Sequence, residues 1–185
     1  MTAALPTVIV LAAGRGERFL ASGAATHKLD TLLRGKPVLS HTLAAVRSSG
    51  LPWHLVRPEG GTGGMGESIA MGVRATSEAA GWLILPGDLP LVQATTLQRV
   101  AGALTAQIVV VPRFHQHSGH PVGFGRRYFQ ALAALEGDVG AAGIVRQARA
   151  CNSIQDLPVT NDGILRDIDT LTDLALAQKV LRTRR

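Results

Sequence analysis

The chain has 185 residues with one cysteine and a formal net charge of +6, and 46% of its residues are hydrophobic. This composition supports a full hydrophobic core and excludes global disorder, and the length suits one domain. The lone Cys151 excludes an internal disulfide framework. No apolar run approaches the roughly 18 residues that cross a bilayer, and residues 1–7 lack the basic start of a signal peptide. We therefore expect a cytoplasmic protein without a membrane partner.

The positive charge raises the question of nucleic-acid binding. Only 4% of the residues are aromatic, which leaves few rings to stack on bases, and no helix-turn-helix, zinc-finger or RNP pattern is present. Positive charge also steers small phosphorylated ligands towards a cleft. We therefore expect no nucleic-acid partner.

Strand-like and helix-like segments alternate along the chain. The pattern predicts strands over residues 7–12, 53–56, 82–85, 107–111, 153–157 and 164–168. It predicts helices between Pro37 and Gly50 and over residues 68–80, 94–104, 126–135, 141–150 and 170–181, with a long functional loop or hairpin over residues 113–124. This order is typical of a single Rossmann-like α/β domain over residues 1–185, with a mostly parallel sheet flanked by helices. Ligands of such sheets bind at the carboxyl ends of the strands.

A glycine-rich segment, Leu11-Ala-Ala-Gly-Arg-Gly-Glu-Arg18, follows the first strand directly. Small residues let backbone N–H groups approach an anion, and Arg15, Arg18 and Lys28 could neutralise a triphosphate. A glycine turn with solvated arginines explains the same residues equally well. A P-loop is excluded, because the chain contains no GxxxxGK[ST] motif.

A second glycine-rich segment, residues 61–66, matches GxGxxG, and Asp88 lies 22 residues beyond its end. This match raises the alternative of a dinucleotide-dependent oxidoreductase. The fingerprint requires its glycines directly after the first strand, whereas here residues 57–60 separate them from the second strand. We therefore keep this interpretation as a minor alternative.

Acidic residues follow two predicted strands. Asp88 comes directly after an apolar strand, and Asp167 and Asp169 follow the last one. An ionised carboxylate beside an apolar core is costly unless it is paired or binds metal, and Mg²⁺ takes one or two carboxylates together with substrate phosphates. The alternatives are a turn for Asp88 and a helix cap at Asp169 or Thr170.

Two other groups of reactive side chains have simpler explanations. His115, His117 and His120 suggest zinc, but a fourth ligand is not apparent, so a polar loop that contacts substrate is favoured. Cys151 ends an apolar helical segment and is expected to be buried and inert.

Seven segments of the chain are distinctive when taken together: LAAGRGERF (11–19), Lys28, GMGESIAMGV (64–73), GDLPLV (87–92), GHPVGF (119–124), GDVGA (137–141) and DIDT (167–170). In their order and spacing they resemble the molybdenum cofactor nucleotidyltransferases, and most closely the cytidylyltransferases among them. Relatives that use GTP tend to carry glycine at the position of Ala13. Two departures are a longer link, residues 20–27, before Lys28, and Ala142 where many relatives have arginine.

The resemblance implies a role for each of these segments. The triphosphate would lie in the loop of Leu11, Ala12, Ala13, Gly14, Arg15 and Gly16, with Arg18, Lys28 and Asp88 as catalytic residues. Base and ribose would contact Gly64, Met65, Gly66 and Ser68, and the pterin would face Gly119, His120 and Pro121. Asp88, with Asp167 or Asp169, would hold Mg²⁺.

The implied reaction is transfer of CMP from CTP to the phosphate of molybdopterin, with release of pyrophosphate. The acceptor phosphate is already anionic at neutral pH, so positioning and charge stabilisation suffice without a general base. The alternatives are a guanylyltransferase that uses GTP and a non-catalytic protein that carries the cofactor. The product's recipient would be a molybdoenzyme or its chaperone.

Overall fold

The computed structural model describes residues 4–184. In chain order the strands are β1 (Thr7–Leu11), β2 (Leu32–Leu33), β3 (Lys36–Pro37), β4 (Trp53–Val56), β5 (Gly81–Pro86), β6 (Val109–Phe114), β7 (His117–Ser118), β8 (Val122–Gly125) and β9 (Ile154–Pro158). The helices are α1 (Glu17–Ala21), α2 (Val38–Ser48), α3 (Met65–Ala75), α4 (Ala94–Ala103), α5 (Phe129–Ala133), α6 (Ala142–Ala150) and α7 (Leu171–Thr183), with 3₁₀ turns at Arg126–Tyr128 and Asp162–Ile164. Within residues 4–184, no helix has the length and apolar character needed to cross a membrane.

The central sheet has the order β4–β1–β5–β8–β6, and both β7 and β9 pair with β6. β1 runs parallel to β4 and β5, and β9 runs parallel to β6. β8 lies antiparallel between β5 and β6, so β5 and β6 point in the same direction. The mostly parallel α/β sheet flanked by helices is thus confirmed. Residues 113–124, predicted as a loop or hairpin, contain the antiparallel strand β7 and most of β8.

The core lies on both faces of the sheet, because β1 is central and alternates its side chains. Val8 and Val10 are fully buried on one face, in an apolar cluster with residues of α2, α4 and α7. Ile9 is fully buried on the other face, in a cluster with residues of α3, α5 and α6. The carboxyl end of β1 is thereby held between two layers of helices.

Several predicted elements differ from the structure. The helix predicted over 68–80 is α3, which begins at Met65 and ends at Ala75, and residues 126–135 form a 3₁₀ turn followed by the short α5. The strand predicted over 164–168 is wrong. Ile164 and Ile168 are buried, but their backbone bonds go to His120 and to Asp88 rather than to a strand. Cys151 is exposed, not buried, because it ends α6 on the surface.

Candidate active site

An open cleft of about 580 Å³ lies at the carboxyl ends of β1 and β5. Its walls come from six separate parts of the chain. They are residues 11–19, Lys28 with Leu29, residues 62–65 with Ser68, Pro86 with Asp88, and the pair Asp138 and Asp169. The position agrees with the expectation that ligands of an α/β sheet bind where its strands end.

The loop that leaves β1, residues 12–16, forms one wall of this cleft. Its start is fixed by the sheet, since the Ala12 N–H donates to the Val56 carbonyl (3.0 Å) and the Gly87 N–H donates to the Leu11 carbonyl (2.8 Å). Its end turns at Gly16, whose φ of +65° lies in the left-handed region that favours glycine. Among residues 4–184, the N–H groups of residues 13–16 find no hydrogen-bond acceptor. The loop therefore offers free backbone donors of the kind that bind anions.

Three carboxylates converge beside this loop. One oxygen from each of Asp88, Asp167 and Asp169 lies within 4.8 Å of the others. The Lys28 ammonium donates to Asp88 Oδ2 (2.7 Å) and to Asp169 Oδ1 (3.2 Å), and an Arg18 guanidinium nitrogen lies 3.3 Å from Asp169 Oδ2. The three acids and two cations form one charged group, of which Arg18, Lys28, Asp88 and Asp169 line the cleft, whereas Asp167 lies outside its lining.

The charged group shifts the pKa values of its members. Burial acts to lower the pKa of Lys28, but the charge and hydrogen bond of Asp88 outweigh it and raise that pKa, so the ammonium stays charged. Partial burial and a hydrogen bond shared with Asp169 raise the pKa of Asp167 to about 6. Burial acts to raise the pKa of Asp169, but that hydrogen bond and the Lys28 charge lower it overall.

The acidic cluster has the donors that a divalent cation needs. Mg²⁺ and Mn²⁺ prefer carboxylate oxygens, and three such oxygens converge here. Asp88 Oδ1 is buried and has no hydrogen-bond partner among residues 4–184, which leaves its lone pairs free for a metal. The residues present therefore fit a divalent metal bound by Asp88, Asp167 and Asp169.

The opposite wall is built from the start of α3 and the loop before α6. Thr62 Oγ1 and Ser68 Oγ share a hydrogen bond of 2.6 Å, and Asp138 Oδ1 accepts from the Met65 N–H at 3.2 Å. A Cβ on Gly64 would lie 2.6 Å from the Asp138 nitrogen. This close packing of α3 on residues 136–139 fixes the shape of the wall.

The MobA-like NTP transferase domain is the family whose model matches this chain, over residues 8–152. The chain belongs to this family. The matched range holds the loop after β1, Lys28, Asp88 and the α3 wall, which all line the cleft. Family membership supports nucleotidyl transfer and favours it over the oxidoreductase alternative.

Curated proteins with similar sequences are longer than this MobA-like protein. Bifunctional protein GlmU of Xanthomonas oryzae pv. oryzae is 29% identical over 182 residues, which cover 85% of this chain and 37% of GlmU. The chain thus spans little more than a third of the length of the curated relatives it matches.

Solved structures share its fold. Rv0371c from Mycobacterium tuberculosis is 26% identical with a TM-score of 0.75, covering 97% of this chain and 100% of Rv0371c. A manganese complex of Rv0371c is 24% identical with a TM-score of 0.72, covering 95% of this chain and 98% of that one. Mth528, a nucleotidyl transferase from Methanothermobacter, is 22% identical with a TM-score of 0.80, covering 97% of this chain and 99% of Mth528.

Most of the residues that the sequence singled out in this MobA-like transferase line the cleft. They are Leu11, Ala12, Ala13, Gly14, Arg15, Gly16, Arg18, Lys28, Gly64, Met65, Ser68, Asp88 and Asp169. Gly66 lies outside this set, and a Cβ there would overlap the carbonyl oxygens of Val139 and Glu136. Because Gly66 has no side chain, α3 can pack closely on the neighbouring loop.

The loop of Gly119, His120 and Pro121 also lies outside the cleft lining. A Cβ on Gly119 would lie 2.8 Å from the Ile164 side chain, and the His120 N–H donates to the Ile164 carbonyl at 3.1 Å. Burial lowers the pKa of His120, and the nearby Asp88 charge acts against that shift. The loop is therefore held against Ile164. Among residues 4–184, His115, His117 and His120 do not come together in a group that could hold a metal ion.

Two residues, one in the cleft wall and one next to the loop after β1, were missed by the sequence reasoning. Asp138 lines the wall and holds the Met65 amide, and its signal was present in the GDVGA segment. His27 contacts the loop after β1, and no sequence pattern marks it.

Proposed function

We propose that this nucleotidyltransferase moves CMP from CTP to the phosphate of molybdopterin and releases pyrophosphate, with Mg²⁺ as cofactor. The observation that carries the proposal is the meeting of two features in one cleft. A loop with free amides lies beside a cluster of three carboxylates and a partly buried lysine. The first suits a triphosphate and the second suits the metal that accompanies it.

The proposed reaction needs positioning more than proton transfer. An acceptor phosphate oxygen forms a bond to the α-phosphorus of CTP, and the bond from that phosphorus to the bridging oxygen breaks, so that pyrophosphate leaves with the electron pair. The amides of residues 13–16, with Arg15 and Arg18, would hold the triphosphate, and Lys28 would neutralise charge that develops on it. Asp88, Asp167 and Asp169 would hold a divalent ion, which would supply Lewis-acid stabilisation of the phosphates. The manganese complex of Rv0371c, which shares this fold, supports a metal of this kind.

The choice of CTP depends on Ala13, which lies in the cleft wall where GTP-using relatives tend to carry glycine. Transfer from GTP is the second candidate, with the same residues in the same roles. The carboxylate cluster favours catalysis over a carrier function, because binding alone does not require three metal-binding carboxylates.

Thermal unfolding with CTP, GTP, ATP and NAD, each with and without Mg²⁺, tests the proposal. A ligand at 100 times its Kd stabilises a protein by about 2.7 kcal/mol, which raises the Tm of a domain of this size by roughly 5–10 °C. We expect that rise with CTP only when Mg²⁺ is present. A rise with GTP alone would assign the guanylyl reaction, and a rise with NAD alone would refute nucleotidyl transfer.

Transfer itself requires a second assay, in which pyrophosphate release is measured with CTP, Mg²⁺ and molybdopterin. Release that depends on all three supports the cytidylyltransferase. Tight binding of CTP without any release in the presence of molybdopterin would favour a carrier.

A further inference from the structure

His27 lies directly behind the loop after β1. Its Nε2 is 2.7 Å from the carbonyl oxygen of Gly14, and its Nδ1 accepts a hydrogen bond from the Leu29 N–H at 3.2 Å. Because a carbonyl oxygen only accepts and Nδ1 is already the acceptor here, the ring proton must lie on Nε2. The imidazole therefore donates to Gly14 while its other nitrogen is fixed by the chain that carries it.

The same ring also packs against Gly16. A Cβ built on Gly16 would lie 3.2 Å from both Cδ2 and Nε2 of His27. Gly16 has a φ of +65° and precedes α1. His27 thus holds the loop at two points, once by a hydrogen bond and once by contact.

The position of His27 indicates which way the loop amides point. Gly14, Arg15 and Gly16 line the cleft, whereas His27 does not, so the Gly14 carbonyl points out of the cleft. In a trans peptide the carbonyl and the N–H of the next residue point in opposite directions. The Arg15 N–H, which has no acceptor among residues 4–184, is therefore turned towards the cleft.

We propose that His27 is a positioning residue that holds the Gly14–Gly16 loop with its amides facing the triphosphate. The inference rests on the proposed function insofar as that function places the triphosphate at this loop. His27 acts from behind, through the backbone, and Lys28, the next residue, faces the acidic cluster. One short segment thereby fixes both the amides and the ammonium around the phosphates.

The test compares His27→Leu, His27→Gln and a matched control, His41→Leu. His41 Nε2 donates to the Leu33 carbonyl at 2.6 Å, so it makes the same kind of bond, and it does not line the cleft. Affinities for Mg²⁺-tripolyphosphate, for each of the four nucleoside triphosphates and for cytidine are measured by titration calorimetry, together with each Tm.

We expect His27→Leu to weaken binding of tripolyphosphate and of the preferred triphosphate by about tenfold, the scale of one lost hydrogen bond. Cytidine binding is expected to stay unchanged. His27→Gln, whose amide can still donate to Gly14, is expected to recover most of the affinity. His41→Leu is expected to lower the Tm without changing either affinity.

Equal tripolyphosphate affinity in wild type and His27→Leu overturns the inference, as does an equal loss in His41→Leu. If wild-type protein binds GTP more tightly than CTP, the proposed base is wrong, and the His27 comparison remains valid. Wild-type protein that binds neither tripolyphosphate nor any nucleoside triphosphate would overturn this inference and the proposed function together.

Discussion

Asp88 is paired on one side and free on the other. Its Oδ2 accepts from the Lys28 ammonium at 2.7 Å, while Oδ1 is buried without a partner among residues 4–184. A buried acceptor without a donor costs free energy, which a ligand at Oδ1 would recover. Because one oxygen is paired and the other is free, Asp88 is the first residue to substitute in a test of the metal site.

Asp88→Asn removes the charge and keeps the shape. We expect nucleotidyl transfer to fall by on the order of 100-fold or more, as for the loss of other charge-stabilising groups, while circular dichroism shows a folded protein. The control is Asp30→Asn, because Asp30 pairs with Arg57 at 2.9 Å on the surface and is expected to keep full activity. Near-normal Mg²⁺-dependent pyrophosphate release by Asp88→Asn would remove Asp88 from the metal site.

Asp167 makes the stability of the protein depend on pH. Its pKa in the folded protein is raised from 3.8 to about 6 by partial burial and by the hydrogen bond with Asp169. Between these values the folded protein holds a proton that the unfolded chain has released, so the free energy of unfolding falls as pH rises through this window. Above pH 6 the carboxylate is ionised in the folded and unfolded states alike, and the decrease in the free energy of unfolding is complete.

Asp167→Asn is therefore expected to raise the Tm at pH 7, with a gain that shrinks as pH falls to 4. Asp156→Asn is the opposite control, because the Arg149 hydrogen bond lowers the pKa of Asp156. That variant is expected to be less stable than wild type at pH 7. Tm values measured from pH 4 to 8 check both signs, and an Asp167→Asn variant less stable than wild type at every pH would contradict the assignment.

Part of this site was predictable from the sequence and part was not. Asp88 is detectable because a carboxylate directly after an apolar strand has no simple role in stability. Its pairing with Lys28, 60 positions away, and the bond from Lys28 to Asp169, 141 positions away, arise only when the chain folds. His27 is a polar residue in a polar link, and its bond to Gly14 leaves no periodic or compositional trace.

Two helices carry glycines with different surroundings. In α3, a Cβ on Gly66 would lie 2.8 Å from the Glu136 carbonyl oxygen and closer still to that of Val139. In α4, a Cβ on Gly102 would meet nothing within 4 Å. The start of α3 is thus pressed onto the loop of residues 136–139, and the Glu67 N–H donates to the Gly137 carbonyl at 3.1 Å.

Gly66→Ala and Gly102→Ala should therefore shift stability in opposite directions. We expect Gly66→Ala to lower the free energy of unfolding by about 1–3 kcal/mol through overpacking, and Gly102→Ala to raise it by about 0.5–1 kcal/mol through lower backbone entropy of the unfolded chain. Urea unfolding measures both. A Gly66→Ala protein of normal stability that binds CTP poorly would instead place Gly66 in the nucleotide site.

The strand predicted over residues 164–168 is absent because a buried apolar segment need not form the hydrogen bonds of a sheet. Ile164 and Ile168 are each 1% exposed, so their apolar character predicts the interior correctly. The Ile168 N–H donates to the Asp88 carbonyl just after β5, and the Ile164 carbonyl accepts from the His120 N–H, so these groups do not pair in a strand. Hydrophobic periodicity does not reveal such hydrogen-bond partners. The helix predicted to start at Ser68 begins at Met65, because close packing at Gly64 and Gly66 allows it to start earlier.

Across the whole molecule, the sheet gathers segments that lie far apart in the chain. The order β4–β1–β5–β8–β6 brings the ends of β1 and β5 side by side, and with them residues 11–19, 28 and 88. The alternation of strands and helices predicted this class of sheet. It did not reveal that β8 inserts in reverse between β5 and β6, because hydrophobic patterns carry no information on strand direction.

The pairing of Lys28 with Asp88 and Asp169 gives the acidic cluster its own counter-ion within the fold. In a zinc finger, by contrast, the free energy of metal binding is the free energy of folding, and chelators unfold the protein. Here we expect EDTA to abolish transfer while the Tm without nucleotide stays within about 1 °C of its original value. A drop of several degrees would show that the metal is structural. The protein should therefore keep its shape through periods of metal scarcity and regain activity as soon as the cation returns.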